Sequence, residues 1–401
     1  MDSGDVKKVA VIGSGAMGHG IAQVFAVAGY SVCMTDIRQE LLDNAMIKIR
    51  DGLKLMISRG KLTEEDAGRI LAHGISATTD TSEAVKGAEI VIEAIPEIME
   101  LKKKVFKNLS DITGNDVILA TNTSTMSITE IASVVKNPER FAGMHFFNPV
   151  PVMKLVEVIH GERSGDEAIN LLCGVAEKCG KVPVKVLIDS PGFIVNRINA
   201  PNQALLNAIL DEGKIKPAEI DSVMKKMGVK MAPFETADFV GLDVFSHTLE
   251  YYSETLSPQY KPGRYIADKI RKNELGMKSG KGIYDWSSGK AAIETQSECR
   301  EITPLHLLSV QINEAVKVFK EGIAGSTEDI DRAVKFGMNA FAGPFTLASG
   351  IQPSQISDSL NYLASRFNLT ILEPEPDILD GSFKNFSDYK NIRDARAGVS
   401  V

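Results

Sequence analysis

Lys8-Val-Ala-Val-Ile12, Gly13-Ser-Gly15-Ala-Met-Gly18, Ile21-Ala-Gln-Val-Phe-Ala-Val-Ala28 and Ser31-Val-Cys-Met-Thr35-Asp36 decide how this chain begins to fold. The first stretch is a short β-branched run of the kind buried in a parallel sheet. The second is Gly-x-Gly-x-x-Gly, and the third has helical apolar spacing. The fourth is another strand, ending on an acid. Each part has a mechanical reason. Gly13 permits a tight turn, Gly15 lets a pyrophosphate reach the backbone, and Gly18 allows close helix–strand packing. The loop from Gly13 to Gly18, Ala16 and Met17 included, leads into a helix N-terminus that offers free N–H groups to phosphates. Asp36 would accept hydrogen bonds from a ribose hydroxyl and repel a 2′-phosphate. Strand, loop, helix, strand and acid together carry far more weight than the glycine motif alone. They read as an NAD site, although Arg38, two residues beyond Asp36, keeps NADP open. His19, one residue past the motif, is expected to pack near the loop.

Working outward, Gln39 to Gly60 has helical periodicity and carries Lys48, Arg50, Lys54 and Arg59, with Lys61 just beyond. Taken alone this is a solvated basic face. Glu89 to Ala94 and Asp116 to Ala120 read as buried strands, with a helix from Leu101 to Leu109 between them. Such alternation implies a Rossmann-type, doubly wound, mainly parallel sheet with ligands beyond the carboxyl ends of its strands. Asn122 and Ser124 fall just past one such end, where capping of a helix starting near Ser127 would also explain them.

Phe141-Ala-Gly-Met-His145-Phe-Phe-Asn148-Pro-Val-Pro151-Val-Met-Lys-Leu-Val-Glu157-Val-Ile159 is two apolar runs flanking a proline-made turn. If the runs pair antiparallel about Pro151, His145 and Glu157 lie opposite one another on the same face. A neutral His beside a buried carboxylate is a general base with a fixed tautomer, or else a structural pair inside the fold.

After Lys185 to Asp189, Ser190-Pro-Gly-Phe-Ile-Val-Asn196-Arg197 opens a long helical stretch, which places a domain boundary near residue 188. An internal repeat follows. Glu219-Ile-Asp221 and Pro233-Phe234 match Asp329-Ile-Asp331 and Pro344-Phe345 at offsets of 110 and 111 residues, with Gly228 and Gly337 between them. The organisation expected is therefore a dinucleotide-binding domain over 1–188 and an all-helical domain present in two copies. The copies would span 189–287 and 304–372, the second degenerate, with a linker at 288–303 and a polar tail at 373–401. His306 stands near the position equivalent to Asn196, without the Pro-Gly-Phe lead-in.

Composition bounds the function. The chain has 401 residues, 44% hydrophobic and 24% charged, with formal net charge −7. This is ordinary globular usage, and the acidic balance argues against nucleic-acid or anionic-membrane partners. Cys33, Cys173, Cys179 and Cys299 include no Cys-x-x-Cys pair and read as thiols in a reducing compartment, not a metal site. Neither an export signal nor a membrane-length apolar run is seen, so the expectation is a cytoplasmic protein with no membrane partner.

Taken together, the glycine motif with Asp36, Asn122-Thr-Ser124, the His145-to-Glu157 stretch and Pro191-Gly-Phe-Ile-Val-Asn-Arg197 resemble L-3-hydroxyacyl-CoA dehydrogenases, in that family's order over roughly residues 6 to 286. The duplicated helical part resembles multifunctional β-oxidation enzymes, in which a second copy replaces a subunit partner. The resemblance implies oxidation of an L-3-hydroxyacyl-CoA with NAD. His145 would take the 3-hydroxyl proton, Glu157 would stabilise the imidazolium, Ser124 would bond the substrate oxygen and Asn196 would add a polar group. It implies cofactor contacts at Glu97, Lys102, Asn122, Asn148 and Lys278. It gives Lys54, Arg59 and Lys61 a reason, since an acidic protein binding a phosphate-rich thioester needs a basic patch. Gly52 stands where mitochondrial-type relatives carry Ser, and Arg59 where they carry Lys. Association with an enoyl-CoA hydratase is implied, and the repeat fits either a monomer built as an internal pseudo-dimer or a homodimer. Two rivals stand beside this reading: a dehydrogenase of a non-CoA hydroxy acid or sugar acid, and a non-catalytic dinucleotide-binding protein.

Overall fold

The computed structural model describes residues 4–293 and 299–388, so residues 294–298 of the expected linker and 389–401 of the expected tail lie outside the described residues. The chain divides into two compact units. The first runs to Ile194 and takes in 322–325 and 332–341, and the second holds the remainder.

In the first unit eight strands form one sheet: β1 (Lys8–Ile12), β2 (Ser31–Thr35), β3 (Ile75–Thr78), β4 (Ile90–Glu93), β5 (Ile118–Thr121), β6 (Phe141–Phe146), β7 (Leu155–Ile159) and β8 (Val182–Val186). Their order is β3-β2-β1-β4-β5-β6-β7-β8. All neighbours pair in parallel except β6 and β7, which form the antiparallel step. This is the doubly wound, mainly parallel sheet that the alternating pattern implied. The connecting helices are α1 (Gly18–Val27), α2 (Gln39–Ser58), α3 (Glu64–Arg69), α4 (Thr81–Val85), α5 (Met99–Ile112), α6 (Ile128–Ala132) and α7 (Asp166–Lys178). Strand β3 was not read from the sequence, because Ile75-Ser-Ala-Thr78 has one buried apolar side chain and follows a π-helical turn over Ile70–Gly74.

The strand order reverses direction at β1 and β4, and the glycine loop is built there by close approach. A Cβ on Gly13 (φ +96°) would stand 2.7 Å from the Ala94 carbonyl oxygen, and one on Gly18 would collide with the Gly13 carbonyl. No side chain but hydrogen fits at either place. The sheet unit also extends further than residue 188. Asp189 accepts hydrogen bonds from Ser127 Oγ (2.6 Å) and the Thr129 amide (2.8 Å), capping α6. The Ile194 amide then bonds Glu157 Oε1 at 3.2 Å.

The second unit is helical, with α8 (Val195–Glu212), α9 (Pro217–Lys226), α10 (Pro233–Val240), α11 (Leu242–Thr255), α12 (Arg264–Arg271), α13 (Pro304–Lys320), the start of α14 (Thr327–Gly337), α15 (Pro344–Ala348), α16 (Pro353–Phe367) and α17 (Pro376–Leu379). Its core joins both sequence segments, with Leu205, Phe234 and Tyr252 from the first and Ile312, Leu360 and Phe383 from the second. The polar tail expected from residue 373 begins later than that, since Ile378 and Phe383 are apolar anchors in an otherwise polar stretch and both are buried. The same capping device occurs twice. Asp221 accepts from the Phe234 (3.1 Å) and Glu235 (2.8 Å) amides at the start of α10. Asp331 accepts from the Phe345 (2.8 Å) and Thr346 (2.7 Å) amides at the start of α15.

Removing either cap should destabilise the helical unit by about 0.5–2 kcal/mol. Asp221→Ala is expected at the upper end, since Asp221 is fully buried and also accepts from Tyr284 Oη at 2.9 Å. Asp331→Ala is expected at the lower end. Urea midpoints of the two variants measure the difference, and equal losses would contradict it.

Candidate active site

Four groups of the sheet unit lie along one edge of the sheet, which holds the carboxyl ends of β1, β2, β4, β5 and β6 and the amino ends of β7 and β8. The first is the glycine loop. Asp36, at the end of β2, accepts from the Ser14 amide (2.8 Å) and hydroxyl (2.7 Å) through Oδ2, and from the Ile37 amide (2.7 Å) through Oδ1. The acid therefore also braces the loop. Helix α1 starts at Met17 without a side-chain cap, and a Cβ on Gly15 would meet nothing within 4 Å. Uncapped amides beside open space fit a pyrophosphate. Ala16 and Met17 lie at this N-terminus. His19 is turned back on the loop, its Nδ1–H donating to the Gly15 carbonyl at 2.6 Å. Arg38 is exposed, 4.0 Å from Glu40.

The second group is a buried charge cluster. Glu93, fully buried at the end of β4, holds Lys102 Nζ through Oε1 at 2.7 Å and accepts from Thr121 Oγ1 through Oε2 at 2.6 Å. Lys102 is 1% exposed. Its ammonium lies 3.2 Å from Glu97 Oε2, without an aligned hydrogen bond, and that oxygen has no hydrogen-bond partner. Glu97 Oε1 accepts from the Ser124 amide (2.8 Å) and Thr123 Oγ1 (3.0 Å). Glu97 is thereby fixed beyond the strand ends, its Oε2 buried beside the Lys102 ammonium. Burial pushes the Glu93 carboxyl upward, opposed by Lys102.

The third group is the pair at the antiparallel step. The β6–β7 register sets His145 opposite Glu157, as the turn about Pro151 implied. His145 Nδ1–H donates to Glu157 Oε2 at 2.8 Å, and both side chains are buried. This bond fixes the tautomer, so Nε2 carries the lone pair. Phe147 and Phe193 flank the ring, with centroids at 4.4 and 5.9 Å. Asn122 Oδ1 accepts from the Phe146 amide at 2.8 Å, joining β5 to the strand that carries His145. Asn148 is exposed, in the turn after β6.

The fourth group escaped sequence reading. Lys181, only 9% exposed, donates to the Val150 carbonyl and to the Met153 carbonyl (2.8 Å), closing the turn that follows Asn148. Burial lowers its amine to about 8. No sequence signal marks this lysine, because its partners are backbone carbonyls some thirty positions away. Glu93 did leave a signal, as the one charge in Ile90-Val-Ile-Glu93.

Other expected residues stand apart. Lys54, Arg59 and Lys61 are exposed on and just after α2, with Lys54 3.7 Å from Asp51. Gly52 faces inward, where a Cβ would strike Gln23 Oε1 at 2.4 Å. Gln23 of α1 packs against this position. In the helical unit, Asn196 lies in the first turn of α8 and Lys278 pairs with Asp243 at 2.5 and 2.6 Å. His306 Nδ1 accepts from the Thr303 amide at 2.9 Å, capping α13. Among the described residues no helix is long and apolar enough to cross a membrane, and no group of three or more His, Cys, Asp or Glu could hold a metal ion.

The loop, the acid on β2 and the uncapped helix define a dinucleotide-binding domain of the Rossmann class. The chain belongs to the 3-hydroxyacyl-CoA dehydrogenase family: residues 8–190 match that family's NAD-binding domain and residues 192–286 its C-terminal domain. It is 41% identical over 285 residues to a 3-hydroxybutyryl-CoA dehydrogenase of Clostridioides difficile, matching 70% of this chain and 99% of that one. It is 34% identical over 393 residues to a fatty acid oxidation complex subunit alpha of Idiomarina loihiensis, covering 91% of this chain but only 54% of that subunit. A crystal structure of 3-hydroxybutyryl-CoA dehydrogenase from Escherichia coli superposes with TM-score 0.84 at 29% identity, covering 94% of this chain and 98% of that one.

Lys181 makes folding pH-dependent. Its folded value near 8 lies below the usual lysine value of 10.5, so the unfolded chain binds more protons across that window and this group's cost falls as pH rises. Between pH 7 and pH 10 the wild type should gain about 2 kcal/mol relative to Lys181→Met. Urea unfolding at the two pH values measures this, and a constant difference would contradict it.

Proposed function

We propose that the chain interconverts L-3-hydroxyacyl-CoA and 3-oxoacyl-CoA, with NAD as the hydride carrier. The buried His145–Glu157 bond of 2.8 Å carries the reading, with family membership as its setting. Bound nicotinamide supplies the hydride chemistry, and the protein must position the substrate and move one proton. His145 Nε2 accepts the proton of the 3-hydroxyl. Glu157 keeps Nδ1 protonated and offsets the charge of the imidazolium. Ser124 Oγ, near the end of β5, bonds the substrate oxygen, and Asn196 contributes a second polar group. The dinucleotide is held by Gly13, Gly15, Ala16, Met17, Gly18 and Asp36 and by Glu97, Lys102, Asn122, Asn148 and Lys278. Lys54, Arg59 and Lys61 form the basic patch for the CoA phosphates.

Two finer readings accompany this one. Residues 304–372 are a second, degenerate copy of the helical domain, supported by the matched Asp221 and Asp331 caps. The chain works beside an enoyl-CoA hydratase, supported by its likeness to fatty acid oxidation complex subunits.

General-base help of this type is typically worth ~10²–10⁴ in rate. His145→Gln should therefore lower turnover of acetoacetyl-CoA at least about a hundredfold while NADH binding stays intact. NADH oxidation with acetoacetyl-CoA and then with free acetoacetate, and NAD reduction with sugar acids, tests the substrate class. Turnover of the free acids alone would favour the non-CoA dehydrogenase, and no turnover of any would favour a binding protein.

A further inference from the structure

We infer that Phe193 is a positioning residue for the His145–Glu157 pair: its left-handed backbone turns the next amide onto Glu157, and its ring holds the plane of His145. The inference rests on the reading of His145 as general base, and extends it to a residue that takes no part in moving the proton.

The backbone of this segment is unusual. In Pro191-Gly-Phe-Ile194 two consecutive residues have positive φ, Gly192 at +80° and Phe193 at +56°. Glycine adopts such a conformation freely, whereas for a bulky side chain it is a strained outlier. Among the described residues the other non-glycine positions with positive φ are Asn273, Asn339 and Asn368, all of the type whose short polar side chain tolerates it. Strained residues persist only where their surroundings over-determine them, and they gather at functional sites.

The strained turn reaches the pair in two ways. The Phe193 amide closes on the Ser190 carbonyl at 2.9 Å, and the Phe193 dihedrals set the direction of the peptide group that follows. The N–H of that group, belonging to Ile194, meets Glu157 Oε1 at 3.2 Å, while Glu157 Oε2 accepts from His145 Nδ1–H at 2.8 Å. Moving Phe193 to ordinary right-handed backbone would swing the Ile194 amide away from the acid. The ring acts on the base. A bond at Nδ1 leaves the imidazole able to rock about it, and the outer torsion of a histidine is broad. The fully buried Phe193 ring lies 5.9 Å from the imidazole, centroid to centroid, at 55° to its plane, within the range where aromatic rings attract. The side chain that makes this backbone costly is therefore the one that packs on the base.

Steady-state reduction of acetoacetyl-CoA by the full-length protein, with NADH binding followed by fluorescence, tests this. Phe193→Gly keeps the left-handed turn and removes the ring. It should lower kcat about tenfold, part of the ~10² that a displacement of about 1 Å can cost, with NADH affinity unchanged. Phe193→Ala keeps the strain without the ring that offsets it, so the turn should also be lost and kcat should fall further, about thirtyfold. Neither change should lower turnover further in the His145→Gln background, because both act through His145. A merely structural role would lower every activity alike. Losses that multiply in the double variants, a matching loss of NADH affinity, or wild-type kcat in Phe193→Gly would thus overturn the inference. If Phe193→Gly does not fold, as judged by its thermal transition, Phe193→Leu serves instead. It keeps buried volume without a flat ring and should lose about threefold in kcat, and nothing further in the His145→Gln background. No reduction of acetoacetyl-CoA by the wild type, or wild-type turnover in His145→Gln, would instead overturn the general-base reading itself.

Discussion

Two carboxylates placed inside the sheet govern the arrangement of everything near its carboxyl edge. Glu93 on β4 and Glu157 on β7 are both fully buried, and a buried charge without partners is far too costly to persist. Each therefore dictates what surrounds it. Glu93 requires a cation, and α5 delivers Lys102 through the core to meet it. Glu157 requires donors, and receives His145 Nδ1–H from β6 and the Ile194 amide from the chain that follows β8. Breaking a buried pair by removing one partner typically costs about 3–5 kcal/mol. These two sites therefore lock four strands in register as well as offering chemistry.

The fold was legible where local rules suffice. Gly13 and Gly18 could be read because steric demands at a strand-to-helix turn admit one residue type, and Asp36 because it closes the strand next door. The His145–Glu157 pairing was legible because antiparallel strands joined by a short turn have a register fixed by symmetry about that turn. A slip of one residue would send one of the two side chains to the opposite face. Asn122 shows the limit of this kind of reading. A polar residue past a strand end reads equally well as a helix cap or a ligand contact, yet its Oδ1 takes the Phe146 amide and ties two strand ends together.

What stayed hidden depends on distance along the chain. Lys181 reaches carbonyls of a turn some thirty residues earlier, and backbone carbonyls leave no mark in a sequence. Strand β3 hid for the opposite reason: it lies at the sheet's edge, with two exposed positions among its four residues, so it lacks the apolar run that marks a central strand. Gly52 reads, through the family resemblance, as a missing hydroxyl. Its neighbour Gln23 shows it to be a packing position between α1 and α2.

The acidic balance of the chain and its basic groups divide along the same line of burial. Lys54, Arg59 and Lys61 are exposed and solvated, where a positive charge costs little and can attract phosphate over a distance of about 10 Å. Lys102 and Lys181 are enclosed, where a charge is tolerated only with fixed partners. Lys102 has a carboxylate and remains part of a charge cluster. Lys181 has only carbonyl dipoles, and its amine falls to about 8. The same residue type thus does three jobs in one domain, and the partner available at each depth decides which: open water at the surface, a carboxylate beside the central strands, or bare backbone beneath the turn.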